Sequence, residues 1–223
     1  MRFGVIVFPG SNCDHDTYHV VKEVLECSVN FIWHKETNLK YYDCIVVPGG
    51  FSYGDYLRAG AIAKFSPIMK SVVNFAKEGG LVFGICNGFQ VLVESGLLPG
   101  SLITNNKVKF LSKEVTLKVN SSSSIFTRKL VPGDLLKMPI AHKQGNYQID
   151  ADGLKKLMDN EQIAFTYHQI DGLSPNGSIA NIAGVFNKNK NVLGMMPHPE
   201  RAADKILRSQ DGLRIFKSIL STV

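Results

Sequence analysis

Gly84-Ile85-Cys86-Asn87-Gly88 sets the tightest constraint on what this chain can fold into. It places a cysteine between two glycines where an apolar run, Leu81 to Ile85, gives way to a helical pattern carried by Phe89, Leu92 and Val93. The pair Gly79-Gly80 opens the strand, and Gly96 with Pro99-Gly100 closes the helix. A residue at such an elbow is held in strained backbone, and flanking glycines let strand and helix meet without a side-chain clash. The thiol is then lifted out of the chain, facing the unsatisfied N–H groups and partial positive charge of a helix N-terminus. Those favour the thiolate, which is the nucleophilic form. A small buried cysteine that fills a βα turn has the same five residues, so the motif alone leaves both readings open.

A second element lies far downstream in Met195-Met196-Pro197-His198-Pro199-Glu200-Arg201. Each proline biases the residue before it toward extended backbone, so the spacing predicts His198 and Glu200 on one face of an extended segment. A carboxylate there accepts the imidazole N–H, fixes its tautomer and supports the imidazolium formed when a thiol loses its proton. Cysteine and histidine partners are characteristically distant in sequence and adjacent in the fold. The third element, Ile45 to Ser52, is a buried strand running into Pro48-Gly49-Gly50. Placed beside the Cys86 strand, the amides of Gly50 or Phe51 and of Asn87 converge as an oxyanion hole. A tight turn needing positive φ calls for the same glycines.

Alternation of apolar runs and helical periods predicts an α/β fold. Strands are expected at 3–8, 29–33, 44–48 and 81–85, with helices over 17–26 and 66–78. This series implies a mostly parallel central sheet with helices on both faces and active groups at the carboxyl ends of its strands. From Lys107 to Ile149 the pattern shifts to short alternating strands, a smaller antiparallel region. Asp204 to Leu220 reads as a closing helix with Ile206, Leu213, Phe216 and Leu220 on one face. No repeat or linker interrupts residues 1–223, which are expected to form one domain.

The formal charge of +6 comes from scattered Lys and Arg rather than a basic stripe, so nucleic acid is not expected as a partner. Asn187-Lys188-Asn189-Lys190-Asn191 reads as a hairpin turn. The four cysteines form no C-x-x-C pair, the N-terminus lacks a signal-peptide pattern, and no apolar run reaches about 18 residues. A cytoplasmic setting with no membrane contact is expected, and it suits a reactive thiol. Cys13-Asp14-His15-Asp16 matches no structural zinc spacing; a helix cap by Asp14 or Asp16 is expected there, and no metal. His142 and His168, beside strands, are expected to be structural.

These blocks, in this order, resemble the class I glutamine amidotransferases. More narrowly, Phe3 to Asp16 (FGVIVFPGSNCDHD), Val47 to Ala61 (VPGGFSYGDYLRAGA), Pro175 to Ser178 (PNGS) and Gly194 to Ala202 (GMMPHPERA) resemble the glutaminase subunits of phosphoribosylformylglycinamidine synthase. The resemblance implies the flavodoxin-like fold of that class. It implies Cys86 as nucleophile on the side-chain amide of L-glutamine, His198 as proton shuttle, Glu200 as its support and Gln90 in the glutamine pocket. It also implies that ammonia passes to a large synthetase subunit, beside a small accessory subunit. This chain would hold no cofactor; ATP and Mg belong to the synthetase, which converts formylglycinamide ribonucleotide to its amidine in purine biosynthesis. One segment departs from the family pattern. Where Pro-Ile-Ala-His-Gly-Glu-Gly is usual, this chain has Pro139-Ile140-Ala141-His142-Lys143-Gln144-Gly145. A free-standing cysteine hydrolase of γ-glutamyl amides, or a shell without activity, are the alternatives from other classes.

Overall fold

A computed structural model describes residues 1–168 and 172–220. Apolar runs at the expected places form β1 (Arg2–Val7), β2 (Ser28–Trp33), β3 (Cys44–Val47) and β4 (Leu81–Ile85). Between them run α1 (Asp14–His19), which widens into a π turn over Val20–Val24, and α2 (Pro67–Lys77). Pro67 begins α2 because a proline costs nothing where the N–H has no intrahelical partner. The elbow helix is α3 (Asn87–Glu94).

The second half supplies β5 (Ser101–Ile103), β6 (Leu111–Val119), β7 (Leu135–His142), β8 (Asn146–Gln148) and α4 (Ala151–Asp159). It ends with β9 (Ile163–Tyr167), β10 (Ile182–Phe186), β11 (Val192–Met195) and α5 (Asp211–Leu220). Nine strands make one sheet in the order β2-β1-β3-β4-β11-β10-β9-β6-β7, and β5 pairs with β8 apart from it. The five strands from β2 to β11 run parallel, and the remaining pairings are antiparallel. The antiparallel region expected from Lys107 onward thus extends the parallel sheet rather than standing apart from it. Asn187 to Asn191 forms the turn joining β10 to β11, closed by Asn187 N–H to Val192 O at 3.0 Å.

Alternation along β4 shows why helices cover both faces. Phe83 points to α5, its ring centroid 5.8 Å from that of Phe216. Its neighbour Gly84 faces the opposite way, where an added Cβ would lie 2.5 Å from Leu92 of α3. Phe83, Phe216 and Phe89 are fully buried, each contributing roughly 2–3 kcal/mol of hydrophobic stabilisation.

The closing helix starts later than expected. It begins at Asp211, and Ile206 is 88 % exposed rather than on the apolar stripe. The Asp204 carboxylate accepts from Ile206 N–H and from the His19 ring, at 3.1 and 2.8 Å, and so holds a turn instead of a helix.

Candidate active site

Register alone brings the elbow and the Pro-His-Pro-Glu segment together. β3 and β11 flank β4 on either side and run parallel to it, with Val47 opposite Gly84 and Met195 opposite Ile85. Three chain segments therefore leave the same edge of the sheet side by side: Pro48-Gly49-Gly50, Cys86 and the segment leading to His198. Cys86 N–H donates to Met195 O at 2.8 Å, which pins the elbow to β11. Cys86 has φ 49° and ψ −105°, a conformation that costs about 1–3 kcal/mol for a side-chain-bearing residue. Gly88 makes the elbow possible, since a Cβ there would lie 1.8 Å from Val47 O. The Cys86 sulfur lies 3.6 Å from Ala141 O, so the end of β7, the far strand of the sheet, comes round to the site.

His198 is extended, with φ −102° and ψ 90°, and its N–H donates to Pro139 O at 2.9 Å. The extended geometry expected through Glu200 stops there. Pro199–Ala202 is a 3-10 turn begun by the proline, and the turn, not strand alternation, brings the carboxylate back under the ring. His198 Nδ1 donates to Glu200 Oε1 at 2.6 Å, with both side chains at least 98 % buried. That bond fixes the tautomer, with the proton on Nδ1 and Nε2 as the unprotonated nitrogen of the neutral ring. Nε2 and Glu200 Oε2 are buried without partners among the described residues. Burial pulls the imidazole pKa down. The Glu200 carboxylate, then Cys86, outweigh burial and hold it well above the usual histidine range. Cys86, His198, Cys13, Asn12, Gly50 and Arg201 line one cavity of about 130 Å³.

Of the expected oxyanion amides, Phe51 N–H already donates to Gly10 O at 3.1 Å. Gly50 lines the cavity at φ 136°, where a Cβ would lie 2.7 Å from Asn12 N, so the position requires glycine. Asn87 is the first residue of α3, and its N–H has no intrahelical carbonyl to meet. Its side chain is fully engaged. Oδ1 accepts from Ser52 N–H at 3.1 Å and from the Ser52 hydroxyl, while Nδ2 donates to Asp55 Oδ1 and Gln90 Oε1 at 3.1 and 2.9 Å.

Gln90 is buried outside the Cys86 cavity, its Nε2 donating to Gln144 O. Gln144 Oε1 in turn accepts from Ala59 N–H at 3.1 Å, an acceptor role that glutamine fills as well as glutamate. The departure at Lys143-Gln144 therefore leaves the tie between these loops in place.

Burial raises the Asp55 carboxyl pKa to about 6, against a smaller lowering by Asn87. The folded state thus holds this proton more tightly than the unfolded chain, and stability contributed by protonated Asp55 is lost as pH rises from about 4 to about 6. Asp55→Asn should raise the thermal midpoint at pH 7.5, with the gain shrinking toward zero below pH ~4. Thermal melts across that range check it, and a midpoint lowered at pH 7.5 contradicts it.

The sequence reading missed a cluster behind His198. Neither Asp14 nor Asp16 caps α1, whose N-cap is Cys13. Asp16 instead binds Arg201 Nε at 3.0 Å, and Arg201 Nη2 donates to Cys13 Sγ at 3.1 Å. Cys13, His198 and Glu200 bring potential ligand atoms within 4.8 Å of one another. Within that cluster an Arg201 guanidinium N–H meets the sulfur, and the imidazole Nδ1–H meets one carboxylate oxygen. His142 is buried with Nδ1 on Asn105 Oδ1 at 3.2 Å, but its Nε2 has no partner among the described residues. Burial, then the proximity of His198, pushes its pKa down to about 4. His168 is exposed just after β9, held to β6 by its N–H donating to Thr116 O at 2.8 Å. The Cys13-Asp14-His15-Asp16 run was the available signal, but only the fold reveals Arg201 as its partner.

Residues 1–218 match the CobB/CobQ-like glutamine amidotransferase domain. This chain belongs to that glutamine amidotransferase family. Within the family it sits with the PurQ subunits of phosphoribosylformylglycinamidine synthase. It is 51% identical over 227 residues to that of Salinibacter ruber, covering 100% of this chain and 97% of the relative. It is 52% identical over 226 residues to that of Aquifex aeolicus, covering 99% and 100%. Among solved structures, PurLQS from Thermotoga maritima matches with a TM-score of 0.89 and 41% identity, over 98% of this chain and 97% of that one. The glutamine amidotransferase fold thus accounts for the elbow, the parallel half-sheet and the cavity at its edge.

Proposed function

We propose that this chain hydrolyses L-glutamine to glutamate and ammonia at Cys86 and delivers the ammonia to a synthetase subunit. That subunit, with its own ATP and Mg, uses it to convert formylglycinamide ribonucleotide to its amidine in purine biosynthesis. The observation that carries this reading is the buried His198–Glu200 pair, whose histidine lines the same cavity as the strained Cys86 elbow.

The chemistry follows from those atoms. His198 Nε2 takes the Cys86 proton, and the sulfur attacks the side-chain amide carbon of glutamine. A C–S bond forms as the carbonyl electron pair moves to oxygen, where the N–H groups of Gly50 and Asn87 receive the oxyanion. Collapse breaks the C–N bond, and the leaving nitrogen takes the Nε2 proton to depart as ammonia. Water then gives a proton to Nε2 and attacks the thioester carbon. The second collapse breaks the C–S bond, returns the proton to sulfur and frees glutamate. Glu200 keeps Nδ1 protonated throughout. Gln90 acts from outside the cavity, holding Asn87 and the Gln144 loop in register.

Phe51 and Phe110 both line the cavity, with ring centroids 6.4 Å apart and each ring about half exposed. This apolar rim suits closure by the synthetase, with a small accessory subunit in the same assembly. Among the described residues no helix is long and apolar enough to cross a membrane, and the cytoplasm is the proposed setting.

Glu200→Gln should cut glutamate release about 10³-fold or more, because an amide no longer dictates the ring tautomer. Steady-state glutaminase assays, with the thermal midpoint as folding control, check it; activity within tenfold of wild type counts against the triad. A free-standing hydrolase would use the same residues. Adding the synthetase subunit decides between them, since only a coupled subunit gains activity on mixing.

A further inference from the structure

We propose that Cys13 is a positioning residue for His198, its sulfur accepting the ring N–H of the imidazolium while the Cys86 sulfur is bonded to substrate. The proposal rests on the glutaminase reading.

Cys13 is 3 % exposed, sits in the same cavity as Cys86 and His198, and has a specific acceptor environment. Its S–H points to Asn12 Oδ1 at 3.5 Å, and Arg201 Nη2–H meets the sulfur at 3.1 Å. The hydrogen is thereby directed away, and a lone pair is left for the imidazole, a ring nitrogen of which lies within 4.8 Å. Gly49 keeps the approach open, since a Cβ there would lie 2.9 Å from His198 Cε1 and 3.1 Å from Cys13 Sγ.

A second acceptor is needed because Cys86 cannot serve throughout turnover. Once its sulfur is bonded to the amide carbon it carries no charge, yet Nε2–H must stay aimed until it is delivered to the leaving nitrogen. Nε2 has no hydrogen-bond partner among the described residues, and Cys13 lines the same cavity as His198. The other groups around His198 are accounted for. Glu200 holds Nδ1, Arg201 is paired with Asp16, and His142 at the end of β7 is kept neutral by burial. The Cys13 contact adds to the forces holding the imidazole protonated. Burial, the largest influence on Cys13 itself, keeps it a thiol rather than a competing nucleophile.

The test separates hydrogen bonding from packing. Cys13→Val keeps bulk and removes the acceptor, whereas Cys13→Ser keeps an acceptor and loses bulk. Cys13→Val should lower kcat for glutamine about tenfold with little change in KM, and move the alkaline limb of the pH profile to lower pH. Cys13→Ser should retain most of the rate and the wild-type limb. An NMR titration of the His198 ring should move to lower pH in Cys13→Val whether or not the isolated chain turns over. Glutamine left untouched by wild type in complex with its synthetase would remove the glutaminase reading, while an unmoved ring titration would remove the role of Cys13. Equal losses in both variants, or a greater loss in Cys13→Ser, would show packing and overturn the proposal.

Discussion

Cys86→Ala abolishes glutamate release from glutamine, lowering it at least ~10⁴-fold, while the thermal midpoint stays within a few degrees of wild type. The two halves of this expectation have separate causes. The rate falls because the bond-forming atom is gone, and no neighbour can replace it: Cys13 is held as a buried thiol on Asn12 and Arg201. Stability is kept because the elbow is fixed by its backbone, through Cys86 N–H to Met195 O and Gln90 N–H to Cys86 O, and neither bond involves the side chain. Alanine inherits the same positive φ and the same strain. Glutamate release within a hundredfold of wild type would remove Cys86 from the chemistry.

Gly88→Ala is the most destructive single methyl expected in this chain. The new Cβ would lie 1.8 Å from Val47 O and 2.6 Å from Val47 C, both backbone atoms of a fully buried strand, so no side-chain rotation relieves it. Either α3 lifts off β3, which moves the elbow and the Asn87 amide, or β3 leaves its register with β4. Overpacking against backbone costs about 3 kcal/mol or more, which for a chain of this length lowers the thermal midpoint by roughly 10 °C. Activity should fall with stability, because the same contact sets the thiol's position. A midpoint within 2 °C of wild type, read by circular dichroism, would mean that the close approach of α3 to β3 is not as described.

Much of this was legible because local chemistry and global fold agree there. The apolar runs of β1, β3 and β4 and the glycines around Cys86 each dictate local geometry, and the parallel order follows from alternation with helices. What escaped depends on contacts remote in sequence. The β10–β11 hairpin was marked by its asparagine-rich turn, but the antiparallel pairings of β9 with β10, β6 with β9 and β6 with β7 span longer connections that periodicity does not specify. Asp16 is an ordinary helix-start residue until Arg201 arrives from 185 positions away. Phe51 N–H looked available for an oxyanion, but pairing of Ser11 with Gly50 hands it to Gly10. Glu200 reached His198 by a turn rather than by strand alternation, because proline opens a turn as readily as it extends the residue before it.

The most direct measurement is peptide mass spectrometry of the chain after exposure to an electrophilic glutamine analogue. If the elbow sulfur beside His198 is the nucleophile, one equivalent of label sits on the peptide containing Cys86, free glutamine protects it, and Glu200→Gln slows its appearance. Label on Cys13, Cys27 or Cys44 instead, or glutamine turnover continuing undiminished in fully Cys86-labelled protein, would contradict the assignment.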